Sequence, residues 1–275
     1  MNTCKSLFWH RRDLRTEDNS GLFKALTNSS SVIPVFIFDK SILESLEKDD
    51  VRVSFIHEEL IKIKNNYQNN GSDLHIYFGD PLKLIPKLAI EHSCKKVFTN
   101  NEYEPYAISR DEKVKGKLSE NGIEFIAVKD HVIFEKNEVL KDDGKPYLVF
   151  TPYSKKWKSI FTQSSKEIFD ITPRINSLCQ FENKQPMIAL KEIGFAQIKS
   201  NIPHPIVSNS TIENYHNKRD FPSENGTSRI GIHLRFGTIS IRMLVNQSMN
   251  RSETFLNELI WRDFYAHNLF GYPQT

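Results

Sequence analysis

Cysteine is scarce in this chain, and what little there is forms no pattern. Cys4, Cys94 and Cys179 are odd in number, far apart in sequence, and make neither a CxxC pair nor a zinc spacing. That excludes a disulfide scaffold and points to a reducing, cytoplasmic setting. There is no run of about 18 apolar residues, so no membrane-spanning helix is expected. The opening MNTCKSLFWHRRDLR has too short an apolar stretch for a secretory signal. Charge of one sign is also lacking. Lys and Arg number 37 against 34 Asp and Glu, a net charge of +3, which is a weak pull on anions; a dedicated DNA-binding module is usually more basic. The familiar enzyme signatures are missing too. No GxGxxG, Walker lysine or GxSxG occurs, and His57-Glu58-Glu59 lacks the second histidine of HExxH. The nine histidines do not cluster at ligand spacing, so no metal site is expected.

What is present suits a folded protein of one large or two modest domains. The chain has 275 residues, 39% hydrophobic and 11% aromatic, with 19 phenylalanines. Short basic clusters (Arg11-Arg12 with Arg15, Lys95-Lys96, Lys155-Lys156 with Lys158) read individually as solvated faces or as phosphate contacts.

The first half alternates strand and helix signals. Leu7–Trp9, Val32–Phe38, Leu74–Phe78, Lys96–Thr99 and Glu124–Val128 read as five strands. The unbroken VIPVFIF run suits a strand buried on both faces. Helices are expected over Val51–Tyr67, stopped by Gly71, over Leu82–His92 behind an Asp80-Pro81 cap, and over Ser109–Ser119 before Asn121-Gly122. The order implies an α/β fold with a doubly wound, five-stranded parallel sheet, whose ligands sit beyond the carboxyl ends of the strands. This unit is expected to span residues 1–132. Val149–Tyr153 leads into a lysine-rich stretch. Ser164–Val207 is polar and punctuated by Pro173, Pro186, Pro203 and Pro205, and reads as a connection rather than a core element. Residues 133–207 are therefore expected to link the α/β unit to an all-α region, 208–275, with helices over Thr211–Asp220, Ile239–Gln247 and Ser252–Phe270.

Two motifs carry chemistry. In Phe255–His267, FLNELIWRDFYAH, the residues Glu258, Trp261, Arg262 and Tyr265 fall at i, i+3, i+4 and i+7. On a helix they share one face, presenting a carboxylate, an indole, a guanidinium and a phenol able to stack on and hydrogen-bond a planar polar ring. The plainer reading pairs Glu258 with Arg262 as an ordinary i,i+4 ion pair and buries Trp261 as a core anchor. The second motif is Gly226-Thr227-Ser228-Arg229, with hydroxyls, free N–H groups and a guanidinium suited to a pyrophosphate. Its plainer reading is a helix cap with an exposed arginine. Tyr215, Lys218 and Arg219 lie just upstream on one expected helix, either as stacking and phosphate contacts or as a solvated face.

Several blocks together resemble one family. They are Leu7–Leu22 (LFWHRRDLRTEDNSGL), Asn101–Tyr106 (NEYEPY) with Arg110-Asp111, Gly144–Tyr153 (GKPYLVFTPY), Tyr215–Leu234 with KRDFP and GTSRIGIHL, Phe236-Gly237 with Ile239-Ser240, and FLNELIWRDFY. In this order they resemble the DNA photolyase/cryptochrome family, and class I photolyases most. The resemblance implies an FAD cofactor, blue or near-ultraviolet light, and electron transfer from reduced flavin to a pyrimidine dimer in DNA. It implies that Tyr215 contacts the flavin and that Thr227, Ser228, Arg229, Ile230 and Gly231 hold its phosphates. It implies that Phe255, standing where many members have tryptophan, walls the pocket and that Arg262 lies on the flavin side. It further implies that Arg219 contacts DNA, that Glu258 hydrogen-bonds the lesion, that the lesion stacks on Trp261, and that Tyr265 shares this DNA-facing surface. Tyr106-Ala107 stands where some members carry an Asn-Glu pair for a folate antenna, so a second chromophore of unknown identity, deazaflavin or flavin, or none, is expected.

The family pattern continues beyond Thr275, so the resemblance predicts an incomplete photolyase, a monomer when full length, with a damaged flavin site and an exposed apolar stripe of Leu256, Ile260, Phe264 and Leu269. A cryptochrome-like photosensor without repair, and a lone α/β module with a vestigial helical tail, are the alternatives.

Overall fold

A computed structural model describes residues 4–161, 167–199 and 201–272. Its centre is a five-stranded, all-parallel sheet in the order β3-β2-β1-β4-β5. The strands are β1 (Lys5–His10), β2 (Ser31–Asp39), β3 (His75–Gly79), β4 (Lys96–Asn100) and β5 (Glu124–Val128). Trp9 of β1 faces Val35 on one side and Thr99 on the other. The central position of β1 and β2 explains their unbroken apolar runs. Alternate residues feed two cores, with Phe8, Phe36, Phe38 and Phe98 on one face and Leu7, Trp9, Ile33, Val35 and Val97 on the other.

Helices cover both faces: α1 (Ser20–Asn28), the single turn α2 (Lys40–Leu43), α3 (Val51–Asn69), α4 (Pro81–Glu91) and α5 (Pro105–Ser119). Asn19, Asp50 and Asp80 cap α1, α3 and α4 by accepting a backbone N–H two or three residues on. α5 starts four residues before the expected Ser109, because Pro105 fits the first helical position without losing a hydrogen bond.

The stretch after residue 130 departs from expectation in two ways. The lysine-rich segment is a helix, α6 (Phe150–Ile160), whose Tyr153 and Trp157 are fully buried. The segment expected to be a plain link is also core. Of Ser164–Val207, residues 164–166 and 200 lie outside the described residues. In the remainder, Ile171, Leu178, Leu190, Ile193 and Phe195 are buried in the α/β core, and the Cys179 N–H donates to the Val32 carbonyl at 2.8 Å. Two 3-10 turns, Thr172–Ser177 and Leu190–Ile193, set these side chains at irregular spacing. The described residues of 133–207 therefore pack as structure rather than bridging as a plain link.

The C-terminal region is helical, as expected. The single helix anticipated over Thr211–Asp220 is two short ones, α7 (Asn209–Glu213) and α8 (Tyr215–Lys218), broken at Asn214. They are followed by α9 (Gly231–Phe236), α10 (Ile241–Ser248) and α11 (Glu253–Gly271). A second core joins α6, α10 and α11. It buries Leu256, Ile260 and Phe264, at 5%, 0% and 5% exposure, so the expected open stripe is covered along these three positions. The reason is α6, which supplies Tyr153 and Trp157 as packing partners.

A buried charge cluster ties the α/β unit to the helices. Arg15 and Arg242 both donate to Asp130, at 2.7 and 2.8 Å, and Arg242 also holds Asp18 at 3.0 Å. Ser240 donates to Asp18 as well. Burial alone would raise the Asp130 carboxyl, but the two guanidinium groups hold it well below the usual carboxylate range.

Candidate functional site

α11 carries the site and is anchored from behind. Ser252 caps it by accepting the Phe255 N–H. On its inner face Asp263 is fully enclosed. Its Oδ2 accepts from Trp157 Nε1 at 2.9 Å and from the N–H groups of Ile133 and Phe134 at 3.1 Å each. Burial nevertheless pushes its carboxyl up to about 6.

Glu258, Trp261, Arg262 and Tyr265 share the opposite face, as their spacing predicts. Trp261 is half-buried at the edge of the helical core, and three aromatic rings meet it. Phe150, at the start of α6, lies parallel to the indole at 3.8 Å with 5° between the planes. Phe264 meets it edge-on at 5.5 Å, and Tyr265 overlaps it at 5.5 Å and 27°. Glu258 does not pair with Arg262. It accepts from Arg219 at 2.5 Å. The Arg219 guanidinium sits 5.6 Å from the Tyr215 ring, and Tyr215 meets Phe255 edge-on at 5.2 Å. Tyr215, Arg219 and Glu258, with Phe255 buried beneath Tyr215, thus form one linked aromatic and charged group between α8 and α11, one helical turn from Trp261. Burial and the Glu258 charge raise the Tyr215 phenol above its ordinary range.

Thr227 to Gly231 lead into α9. Gly226 is needed where the chain crosses α8, because a Cβ there would press into the side chain and carbonyl of Lys218. Arg229 adopts a left-handed conformation, φ 51°. Thr227 and Arg229 are exposed, Ser228 is half-buried, and Ile230 is buried. Above Gly231 the space is open.

Arg262 turns toward the α/β unit. It donates to the carbonyls of His131 and Leu234. Its guanidinium borders a cavity of about 360 Å³ lined also by Arg12, Tyr103, Glu104, Gly231, Arg235 and Tyr265. The structure therefore brings Tyr215, Arg219, Phe255, Glu258 and Trp261 together. It sets Arg262 beside Gly231 at the seam between the sheet and the helices.

The carboxyl ends of β1 and β4, where the strand order reverses, hold a charge lattice. Arg11 pairs with Asp111 at 2.6 Å, Arg12 with Glu102 at 2.6 Å, and Arg110 with Glu102 at 2.5 Å. These cations hold Glu102 far below the usual carboxylate range against its burial. Tyr106 reaches over from α5 to donate to Asp39 at 2.7 Å. Phe150 and Asp263 carry no sequence signal that sets them apart, although both lie in the quoted motifs. Nothing local distinguishes a phenylalanine that backs an indole from one that fills a core. Among the described residues no cluster of His, Cys, Asp or Glu could hold a metal ion, and no helix is long and apolar enough to cross a membrane.

Comparison with known proteins gives this geometry a context. The sequence profile of the DNA photolyase family matches residues 6–172. A deoxyribodipyrimidine photo-lyase of Synechococcus sp. (strain ATCC 27144 / PCC 6301 / SAUG 1402/1) is 31% identical over 97% of this chain and 60% of its own length. The crystal structure of an archaeal photolyase from Sulfolobus tokodaii, solved with two FAD molecules, superposes with a TM-score of 0.76 at 28% identity, over 98% of this chain and 60% of that one. A Synechocystis sp. PCC6803 cryptochrome shares the fold alone, with a TM-score of 0.77 at 18% identity over 99% of this chain and 62% of its own. The chain spans about 60% of the photo-lyase it matches. A profile match over more than half of the sequence, the same parallel sheet and the same helical extension lead to one conclusion: the chain belongs to the DNA photolyase/cryptochrome family.

Proposed function

We propose that this chain serves light-dependent repair of pyrimidine dimers in DNA, as a deoxyribodipyrimidine photolyase using reduced FAD. The observation that carries the reading is the half-buried indole of Trp261, backed by Phe150 and one turn of α11 from the carboxylate of Glu258. A flipped pyrimidine pair needs such a flat apolar plate beside a hydrogen-bond acceptor.

The residues fit a flavin dinucleotide. Thr227 and Ser228 offer hydroxyls and Arg229 an exposed guanidinium beside the open space over Gly231, a donor set suited to a diphosphate. Asn257, also on α11, has a buried Oδ1 without a partner, an acceptor available to an N–H of a bound ring. Tyr215 and Phe255 would wall the ring system, with Arg262 at its phosphate end. A reduced FAD held there would supply light-driven one-electron chemistry for splitting the dimer. The protein's own part is orientation. Trp261 stacks the lesion, Glu258 hydrogen-bonds it, and Arg219 and Tyr265 face the strand. No general base or nucleophile is required. In this reading residues 1–132 form the antenna-binding unit, 208–275 open the flavin- and DNA-binding part, and 133–207 pack against both. A second chromophore belongs in the crevice beyond β1 and β4, the ligand position of a doubly wound sheet.

The test is repair by the purified chain, reconstituted with FAD, reduced and exposed to blue light over an oligonucleotide carrying one thymine dimer. Recovery of thymine absorbance in the wild type, lost in Trp261→Ala, is expected. Stoichiometric flavin binding with no dimer splitting would instead favour a photosensor.

A further inference from the structure

Two groups on the proposed lesion surface are already occupied, and by the chain itself. Phe150 and Tyr265 both overlap the Trp261 indole, at 3.8 and 5.5 Å. The other ring contact of each is with Phe264, not with one another. The two rings therefore border different parts of the indole. The inner plate is held: Phe150 belongs to α6 and meets Phe264 at 5.9 Å. The outer plate is loose. Tyr265 is 64% exposed, and its hydroxyl makes no hydrogen bond among the described residues. Glu258 repeats the pattern, since its carboxylate is taken by Arg219 while both side chains stay more than a third exposed, at 38% and 36%.

We propose that Tyr265 is a self-stacked cap on Trp261, which an unstacked pyrimidine must displace, with Arg219 standing in for the lesion at Glu258. The proposal rests on the reading of Trp261 as the lesion plate. A base inside a duplex has both faces covered by its neighbours and cannot compete for the indole. An extruded base exchanges one ring contact for another. The cap keeps the competent, open state a minority, and apparent affinity falls by that fraction. Deleting the ring therefore strengthens lesion binding. For a tyrosine that merely contacted the strand, deletion would weaken it. One aromatic contact of ordinary strength corresponds to roughly a three- to tenfold gain.

The experiment has two arms, on wild type, Tyr265→Ala and Tyr265→Phe. The first is acrylamide quenching of tryptophan emission without DNA. Trp9 and Trp157 are each 1% exposed, so the quenchable signal is that of Trp261. Quenching should at least double in Tyr265→Ala and stay at the wild-type level in Tyr265→Phe; no increase in Tyr265→Ala overturns the cap. The second is dark binding of a single-stranded oligonucleotide with one thymine dimer. Tyr265→Ala should bind roughly three- to tenfold tighter and Tyr265→Phe as wild type; equal or weaker binding in Tyr265→Ala overturns the displacement. If no variant prefers the dimer over the undamaged strand, the repair reading fails and the displacement with it, while the quenching arm still decides whether Tyr265 covers the indole.

Discussion

Replacing Asp263 by asparagine should make this protein gain stability, relative to wild type, as pH rises. Three N–H donors converge on Oδ2 at 2.9 to 3.1 Å. An asparagine with its oxygen in that place keeps all three bonds and loses the charge. Burial outweighs those bonds and lifts the carboxyl from 3.8 to about 6. A folded-state value above the unfolded one means that the native protein binds the extra proton. Its stabilisation is complete below the unfolded value and is lost as pH rises through the folded one. Two units at about 1.4 kcal/mol each give roughly 3 kcal/mol in all, of which about 1.4 kcal/mol is lost between about pH 5 and pH 8. Wild type alone does not report this, because two histidines oppose it. His75 and His131 are held down to about 4 by burial, so each loses stability as pH falls below its ordinary range. Asp130 and Glu102, depressed by their arginines, stay ionised in the folded protein across the window. The difference between wild type and Asp263→Asn cancels these terms. Urea unfolding followed by circular dichroism at both pH values should show the variant gaining about 1.4 kcal/mol on wild type from about pH 5 to pH 8. A difference that does not move with pH would refute the argument.

Arg242→Met should cost about 3–5 kcal/mol in urea unfolding, because Asp18 and Asp130 stay buried with one guanidinium between them, and Arg242→Lys should recover little since an ammonium cannot serve both carboxylates as a fork. Gly237→Ala should cost about 2–4 kcal/mol by the same measurement. Gly237 has φ 64°, and a Cβ there would press into the Arg12 carbonyl and the Asp13 backbone. Ser252→Ala should cost about 1 kcal/mol through loss of the α11 cap, read as a lower thermal midpoint.

The sheet was legible because its signals are local. Val32–Phe38 is apolar throughout since β2 lies between β1 and β3, and Asp80-Pro81 marks the start of α4 by its own chemistry. α6 was hidden because its buried stripe is short, Tyr153, Ser154 and Trp157 among lysines that stay at the surface. The packing of residues 167–199 had no period to read, since 3-10 turns and extended chain space their apolar residues unevenly. At the site, the shared face of Glu258, Trp261, Arg262 and Tyr265 follows from helical spacing. Their partners do not. Arg219 reaches Glu258 across 39 residues, and Arg262 reaches the His131 carbonyl across 131. Such pairings are set by how helices dock, and the i,i+4 pairing of Glu258 with Arg262 lost to a better-placed guanidinium and to unsatisfied carbonyls at the seam.

That docking decides whether the helical region is an appendage or part of one folding unit. An appendage would meet the sheet through few, exposed contacts. Here the seam is buried and polar at the same time. Arg242 from α10 closes on Asp18 and Asp130 of the α/β unit, the Leu14 N–H donates to the Phe236 carbonyl at 3.0 Å, and Arg15 donates to the Gly237 carbonyl at 3.0 Å. Separating the two parts would strip Asp18 and Asp130 of the Arg242 fork and open the packed seam to water, so each part loses interactions that hold its own end of the seam in place. Unfolding should therefore be a single transition, with α11 and the sheet lost together. Limited proteolysis gives the sharper view. No stable fragment ending near residue 130–150 should accumulate, because cutting there exposes Asp18 and Asp130 without Arg242. Accumulation of such a fragment, with native circular dichroism, would show the α/β unit to be self-sufficient and the charge cluster to be incidental.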